Sequence, residues 1–289
     1  MKQSIALPPL YRVADILAFH GRDPAGLAEQ VRPDALRKGV MLDGAPVLLE
    51  VSFDQHSAHC TVSADGALSA RARHLVDEAL LNILGLRIDP APFVKAVRKD
   101  PLLAPLARRQ PGMRIVQSAT VFEALTWAII GQQINLTFAI ALRRTLIEQA
   151  GQRHSSGLWC YPEAPAVATL VLEELTTRKF SRAKVETLLR LAQLVDSGAL
   201  ALDRNADAAT VSAALLAVKG IGPWTVNYAL LRGYGYPDCS LHGDVAIREA
   251  LRRLLGEADK PDIARTEALL AQYQPYRTMA AAHLWASLA

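Results

Sequence analysis

Residues 216–228 read Leu-Ala-Val-Lys-Gly-Ile-Gly-Pro-Trp-Thr-Val-Asn-Tyr, and Gly220, Ile221 and Gly222 leave room for only a short hairpin between two helical stretches. Glycine there permits positive φ and puts no side chain between the backbone and an approaching ligand. Pro223 suits the first position of the following helix, where a missing N–H costs nothing. The free N–H groups of that helix start, at the positive end of its dipole, make a site for one phosphate. Trp224 and Tyr228 lie four apart, on one helical face. Leu241-His-Gly-Asp-Val245 follows, and Asp244 opens the next helical run at a position that suits an N-cap. A lone G-x-G is common in apolar settings. The constraint comes from the ordered set of hairpin glycines, proline, aromatic pair and single carboxylate.

The 289 residues are long for one domain and comfortable for two or three. At 51% hydrophobic and 21% charged, the chain can build an ordinary globular core. A formal net charge of +4 permits a nucleic-acid partner without arguing for one, because the whole-chain balance hides local patches. Cys60, Cys160 and Cys239 are far apart and odd in number, which fits a reducing compartment. Pro8-Pro9 interrupts the short apolar stretch behind Lys2, so no signal peptide is expected. No run reaches the roughly 18 apolar residues of a membrane span. The expectation is a cytoplasmic protein with no membrane partner.

Along the chain, residues 12–20 have the apolar spacing of a short helix. Residues 47–53 and 58–63 are strand-like around a turn at 54–57, which suggests an antiparallel hairpin, and 68–84 is helical up to Gly85. A proline-rich, basic stretch covers 89–112. From about residue 113 the pattern becomes repeatedly helical. Thr120-x-x-Glu123 is a capping box opening an apolar helix. Further helices are expected at 136–149, 182–195, 208–218, 223–231, 245–255, 266–272 and 277–288, with Gly151, Gly198, Gly233 and Gly256 at helix ends. The chain reads as an α+β module over 1–112 followed by an all-helical body over 113–289, mainly helical overall.

The hairpin and aspartate resemble those of the helix-hairpin-helix DNA glycosylase superfamily. Ala124-Leu-Thr-Trp-Ala-Ile-Ile-Gly-Gln-Gln-Ile134, Cys160-Tyr-Pro162 and Ser181-Arg-Ala-Lys-Val-Glu-Thr187 are similar to motifs of one branch, the DNA-3-methyladenine glycosylase II (alkylation-repair) family. Asp15-Ile-Leu-Ala-Phe19, the strand pair and Leu86-Arg-Ile-Asp-Pro90 resemble that family's N-terminal α+β domain, so the likeness spans nearly the whole chain. It implies a helix-hairpin-helix glycosylase body of two helical subdomains flanking a cleft, 113–235 and 236–289 plus the N-terminal linker.

The same resemblance implies the site. Asp244 matches the essential aspartate. Glycosidic cleavage builds positive charge on the sugar, which a carboxylate stabilises while it orients or deprotonates the attacking water. Trp224, Tyr228 and Trp285 match the walls of the base pocket, with Phe19 as a further wall, although aromatics at helical spacing also suit a plain core. Bases alkylated at a ring nitrogen are cationic, and a cation over an aromatic face gains about 0.5–2 kcal/mol. Gln133 matches the wedge that fills the space left by a flipped base. Gly220, Ile221, Gly222, Thr225 and Lys219 form the DNA grip, reading phosphate rather than sequence. Strand-cutting relatives carry a nucleophilic lysine where Trp224 stands, so a monofunctional enzyme with no lyase step is expected. With no cysteine after Cys239, the C-terminal iron–sulfur cluster of other relatives is not expected, nor is any metal site. A monovalent cation on the hairpin carbonyls remains compatible. His242 reads as a hydrogen-bonded loop residue.

The expected partner is double-stranded DNA containing damaged bases, met by a monomer. The expected reaction is excision of alkylated bases, leaving an abasic site. The alternatives are a glycosylase for an oxidised or deaminated base, a non-catalytic DNA-binding module, and a helical scaffold in which the G-x-G is coincidental.

Overall fold

The computed structural model describes residues 1–288. Five antiparallel strands form one sheet in the order β1-β5-β4-β3-β2: β1 (Lys2–Ala6), β2 (Glu29–Arg32), β3 (Ala35–Leu42), β4 (Ala45–Phe53) and β5 (Ser57–Ala64). The expected hairpin is β4 and β5, and Asp54 caps its turn by accepting the N–H groups of His56 and Ser57. The other three strands were not legible. In β3, Arg37, Lys38 and Gly39 break the apolar alternation, and the sheet holds Lys38 almost wholly buried. Helices α1 (Val13–His20) and α2 (Ala70–Ile83) complete the module, with Leu17, Val76, Leu80 and Ile83 packing on the inner face of β3–β5.

The proline-rich stretch also folds, into α3 (Ala91–Val97) and α4 (Leu103–Arg109). Phe93, Val97, Leu103 and Leu106 of these helices join the apolar core of the helical body rather than that of the sheet. That body contains α5 (Val121–Gly131), α6 (Leu136–Ala150), the strand pair β6 (Gln152–Arg153) and β7 (Trp159–Cys160), and α7 (Ala164–Ala168), α8 (Leu172–Thr176), α9 (Arg182–Asp196) and α10 (Ala208–Leu216). It ends with α11 (Pro223–Ala229), α12 (Val245–Leu255), α13 (Ile263–Ala271) and α14 (Arg277–Ala286). None of the described helices is long and apolar enough to cross a membrane.

Two local expectations change. Gly233 does not end its helix: α11 runs on through a π turn, Leu230–Tyr234, and stops at Gly235, whose φ is +73°. Gly233 instead lies where α11 meets α5, and a Cβ there would stand 3.1 Å from Ala124. The capping box is half made. Thr120 accepts the Glu123 N–H at 3.0 Å, but the Glu123 carboxylate turns inward to the Ala119 N–H and to two cations.

Those cations belong to a buried network joining sheet to body. Lys38 Nζ donates to Glu29 at 2.6 Å and to Glu123 at 2.8 Å, while Arg143 donates to both Glu29 oxygens at 2.9 Å and to Glu123 at 2.8 Å. Burial alone would push the Glu29 carboxyl up, but Arg143 and Lys38 outweigh it and hold the group below the usual carboxylate range. Losing one member strands the others in a dry interior. Lys38→Met is therefore expected to destabilise the fold by about 3–5 kcal/mol, read from urea unfolding.

Two histidines are buried with incomplete partners. His20 donates from Nε2 to the Ile83 carbonyl, whereas His283 stacks on Phe93 with neither ring nitrogen hydrogen-bonded. Burial lowers both, to about 4 from 6.5. The unfolded chain then binds more protons between these values, so stability is complete above about pH 6.5 and falls as the pH drops towards 4. Between about pH 7.5 and about pH 5, His283 alone is expected to account for about 2 kcal/mol of lost stability. His283→Phe, which keeps the ring stack, should remove that portion from the urea-midpoint profile.

Candidate active site

The hairpin forms between α10 and α11. Gly220 has φ +99°, and a Cβ there would fall 2.0 Å from Thr187 Oγ1 on α9, so both backbone and packing demand glycine. Gly222 differs. Its φ of −107° suits any residue, and nothing lies within 4 Å of where its Cβ would be. Among the described residues, the N–H groups of Gly220 and Gly222 find no acceptor. Ile221 is buried, so only its backbone faces outward, while the Lys219 side chain is exposed beside the turn. The Lys219 and Gly220 carbonyls accept Arg190 Nη1 and Gln132 Nε2, both at 3.1 Å. A carbonyl keeps a second lone pair, so a monovalent cation would be held here by backbone oxygens, but the Val218 oxygen already accepts the Ile221 N–H and the Arg190 guanidinium already places positive charge at the Lys219 oxygen.

Across a cleft of about 770 Å³ stands the turn between α5 and α6. Gln133 is exposed at its tip with φ +56°, a left-handed conformation that costs a non-glycine residue about 1–2 kcal/mol. Its neighbour Gln132, which sequence reasoning passed over, turns inward to bridge the Gly220 carbonyl and the Thr225 hydroxyl at 3.1 and 2.9 Å. The Thr225 side chain is thereby a buried brace, and only its backbone N–H remains for the helix start.

Asp244 forms the third edge of the cleft. It caps α12, with Oδ1 accepting the N–H groups of Ala246 and Ile247 at 2.9 and 3.0 Å. Trp285 Nε1 also donates to Oδ1, at 3.1 Å, and Trp224 Nε1 donates to Oδ2 at 2.9 Å. Four donors from three helices fix the carboxylate, and Oδ2, with a single partner, keeps room for another. Both tryptophans were anticipated as pocket walls, yet neither expectation included holding the acid. His242 takes Ser240 Oγ at 2.9 Å through Nδ1, a hydrogen-bonded loop position.

The aromatic residues gather behind this carboxylate. Trp224 and Tyr228 have ring centres 5.3 Å apart, and Tyr228 and Trp285 6.5 Å. Trp127, a further residue missed from sequence, donates to the Tyr228 hydroxyl at 2.9 Å. Phe19 reaches the group through arginines rather than by ring contact. The Arg232 guanidinium lies 4.8 Å from the Phe19 ring centre and 5.5 Å from that of Trp285, and Arg22 lies 3.8 Å over Phe19. The spacing Trp224, Tyr228, Arg232 continues the four-residue step along one face, and that was the available signal for Arg232.

Two family models match the chain, and the second covers every residue that lines the cleft. One described as the AlkA N-terminal domain covers residues 4–119, and one described as HhH-GPD superfamily base excision DNA repair protein covers 126–275. The chain belongs to the HhH-GPD superfamily. It is 30% identical to DNA-3-methyladenine glycosylase of Bacillus subtilis over 68% of this chain and 67% of that one. It is 26% identical to DNA-3-methyladenine glycosylase 2 of Escherichia coli over 63% of each chain. The chain thus spans about two thirds of the length of these relatives. The 3-methyladenine DNA-glycosylase from Archaeoglobus fulgidus superposes with a TM-score of 0.82 at 21% identity, covering 98% of this chain and 97% of that one, a likeness of fold.

The two hairpin glycines of this HhH-GPD protein should separate in a stability assay. Gly220→Ala meets both positive φ and Thr187, and is expected to cost about 1–3 kcal/mol in urea unfolding. Gly222→Ala, at an unstrained N-cap facing open space, should stay within about 1 kcal/mol of the parent.

Proposed function

We propose that this chain is a monofunctional DNA glycosylase that flips an alkylated base out of duplex DNA and hydrolyses its N-glycosidic bond in base excision repair. The observation that carries the reading is Asp244, held by two backbone N–H groups and two indoles at the edge of an open cleft. Reactions that build positive charge on a sugar need a negative charge fixed beforehand, so that nothing reorganises as the bond breaks. The base leaves with the bonding electron pair. Oδ2, with its spare acceptor position, orients the water that bonds to the sugar and takes its proton.

The cleft's other edges suit the DNA. The exposed, strained Gln133 fills the gap in the duplex, and the unpaired Gly220 and Gly222 amides, with Lys219, hold a backbone phosphate. Trp224, Tyr228, Trp285 and Phe19 wall the extruded base. Trp224 occupies the place of the strand-cutting lysine, so no Schiff base forms there. We read residues 1–112 as a module that closes the pocket and 113–289 as the body that grips DNA, working as a monomer because every edge of the cleft comes from one chain. The three buried, unpaired thiols support a reducing, cytoplasmic setting.

The test is release of free methylated purine from alkylated duplex DNA. Asp244→Asn keeps the cap and the shape but loses the charge. It is expected to lower the single-turnover rate by at least about 100-fold, the loss typical of removing one preorganised electrostatic group, with duplex affinity unchanged. Wild-type turnover by the Asn variant would take the chemistry off Asp244, and no release by either protein would leave a reading based on DNA binding alone.

A further inference from the structure

The stretch between the sheet module and the helical body carries a surface that the cleft does not use. The turn before α1, helices α3 and α4, and the segment after α4 enclose an open groove of about 820 Å³. It shares no lining residue with the cleft. Pro8, Pro90, Val94, Val97, Ala104 and Ala107 make its lining mainly apolar. Leu10 adds to it from an unusual position. The Tyr11 N–H closes a turn onto the Pro8 carbonyl at 3.2 Å, which puts Leu10 third in the turn with φ +60°. Such a position favours glycine. Gly112 lets the chain after α4 press against this turn, because a Cβ there would overlap the Leu10 carbonyl oxygen. The outcome is the most exposed large apolar side chain among the described residues, at 69%. A leucine displayed in this way adds nothing to the core.

The charges around the groove are almost all of one sign. Lys95, Arg98, Arg108 and Arg114 line it with a single acid, Asp89, whose Oδ1 already accepts the Ala91 N–H at 3.0 Å. None of the four cations forms an ion pair among the described residues. Arg114 makes one long hydrogen bond, from Nη1 to the Ile88 carbonyl at 3.4 Å, and buries an Nε without an acceptor. Elsewhere on the surface arginines do find acids, as Arg37 finds Glu50, Arg182 finds Glu186 and Arg252 finds Glu249.

We propose that this groove docks an acidic segment of another protein, with apolar side chains of the segment seated against Leu10 and Val94 and its carboxylates against the four cations. The inference goes beyond the glycosylase reading and does not depend on it. Four cations spread around one groove match several acids along a chain rather than a single anionic headgroup. A duplex brings phosphates but no side chains to cover an apolar floor. A second copy of this chain, at a formal net charge of +4, brings more positive charge than negative. Strand addition is not the mode, because Pro8, Pro9, Pro90 and Pro111 lack N–H donors and the remaining walls are largely helical. Recognition therefore falls to side chains, with apolar anchors giving affinity and charge giving orientation and rate of encounter.

The experiment selects random dodecapeptides displayed on phage against the full chain, then titrates labelled copies of the enriched peptides by fluorescence anisotropy. The expected result is a family combining Asp or Glu with large apolar residues, whose affinity falls as salt rises. Val94→Asp and Arg98→Glu should each weaken that binding about tenfold or more. Both side chains are exposed, so the urea midpoint should stay at the wild-type value. A selection that yields no such family, or one whose binding ignores both substitutions, overturns the inference. Two other occupants have readouts of their own. A wild-type dimer in sedimentation velocity that is lost in Val94→Asp would assign the face to a second copy. Weakening of undamaged duplex binding by Arg98→Glu as large as that by Lys219→Glu would assign it to DNA. Either result also overturns the inference.

Discussion

Four buried charges tie the two halves of this molecule together. Glu29 and Lys38 face each other across β2 and β3, and Glu123 and Arg143 come from α5 and α6. Two cations and two anions, each desolvated, gain little net stability compared with a well-packed apolar contact of the same shape. They do impose direction. An apolar interface can slide by a fraction of a residue, whereas this one is satisfied only where Arg143 meets both oxygens of Glu29 and also reaches Glu123. The sheet module is thereby registered against α5, and α1 with it. Phe19 and Arg22 owe their place beside Trp127 to this register, since His20 between them anchors α1 to the Ile83 carbonyl.

The second constraint is the convergence of three helices on one carboxylate. Trp224 arrives from α11, Trp285 from α14, and Asp244 caps α12. A side chain at a helix N-cap is already restrained by backbone donors. Adding two indoles, each part of the apolar packing, makes its orientation a property of the body's core. The tryptophans consequently do two things, walling the space behind the acid and holding the acid itself.

What was legible in the sequence was local. Gly220 could be read because its positive φ is written in the residue type, and Asp244 because a capping aspartate before an amphipathic run is a local signal. Periodicity does not separate Gln132 from Gln133, which only the family resemblance singled out, for the difference between them, inward brace and outward tip, comes from a hairpin about 90 residues away. The strand β3 was hidden because its buried lysine depends on partners from two other elements. Arg22 was hidden too, since nothing in Phe-His-Gly-Arg announces that the guanidinium folds back over the ring. Each failure involves a charged or polar group placed by contacts other than the apolar pattern, which periodicity cannot see.

These features explain why a sheet module accompanies the helical body at all. The body alone supplies the hairpin, the turn bearing Gln133, and Asp244 with its two indoles. It does not supply Phe19, which meets the aromatic group through the Arg232 guanidinium that also lies over Trp285. Phe19 lies in α1 and Arg22 two residues beyond its end, and α1 is positioned by the sheet and by the buried network. The module therefore places Phe19 beside the aromatic group that the body supplies. The four-charge junction lies between the two, electrically balanced, so it fixes their geometry without adding net charge to the interface.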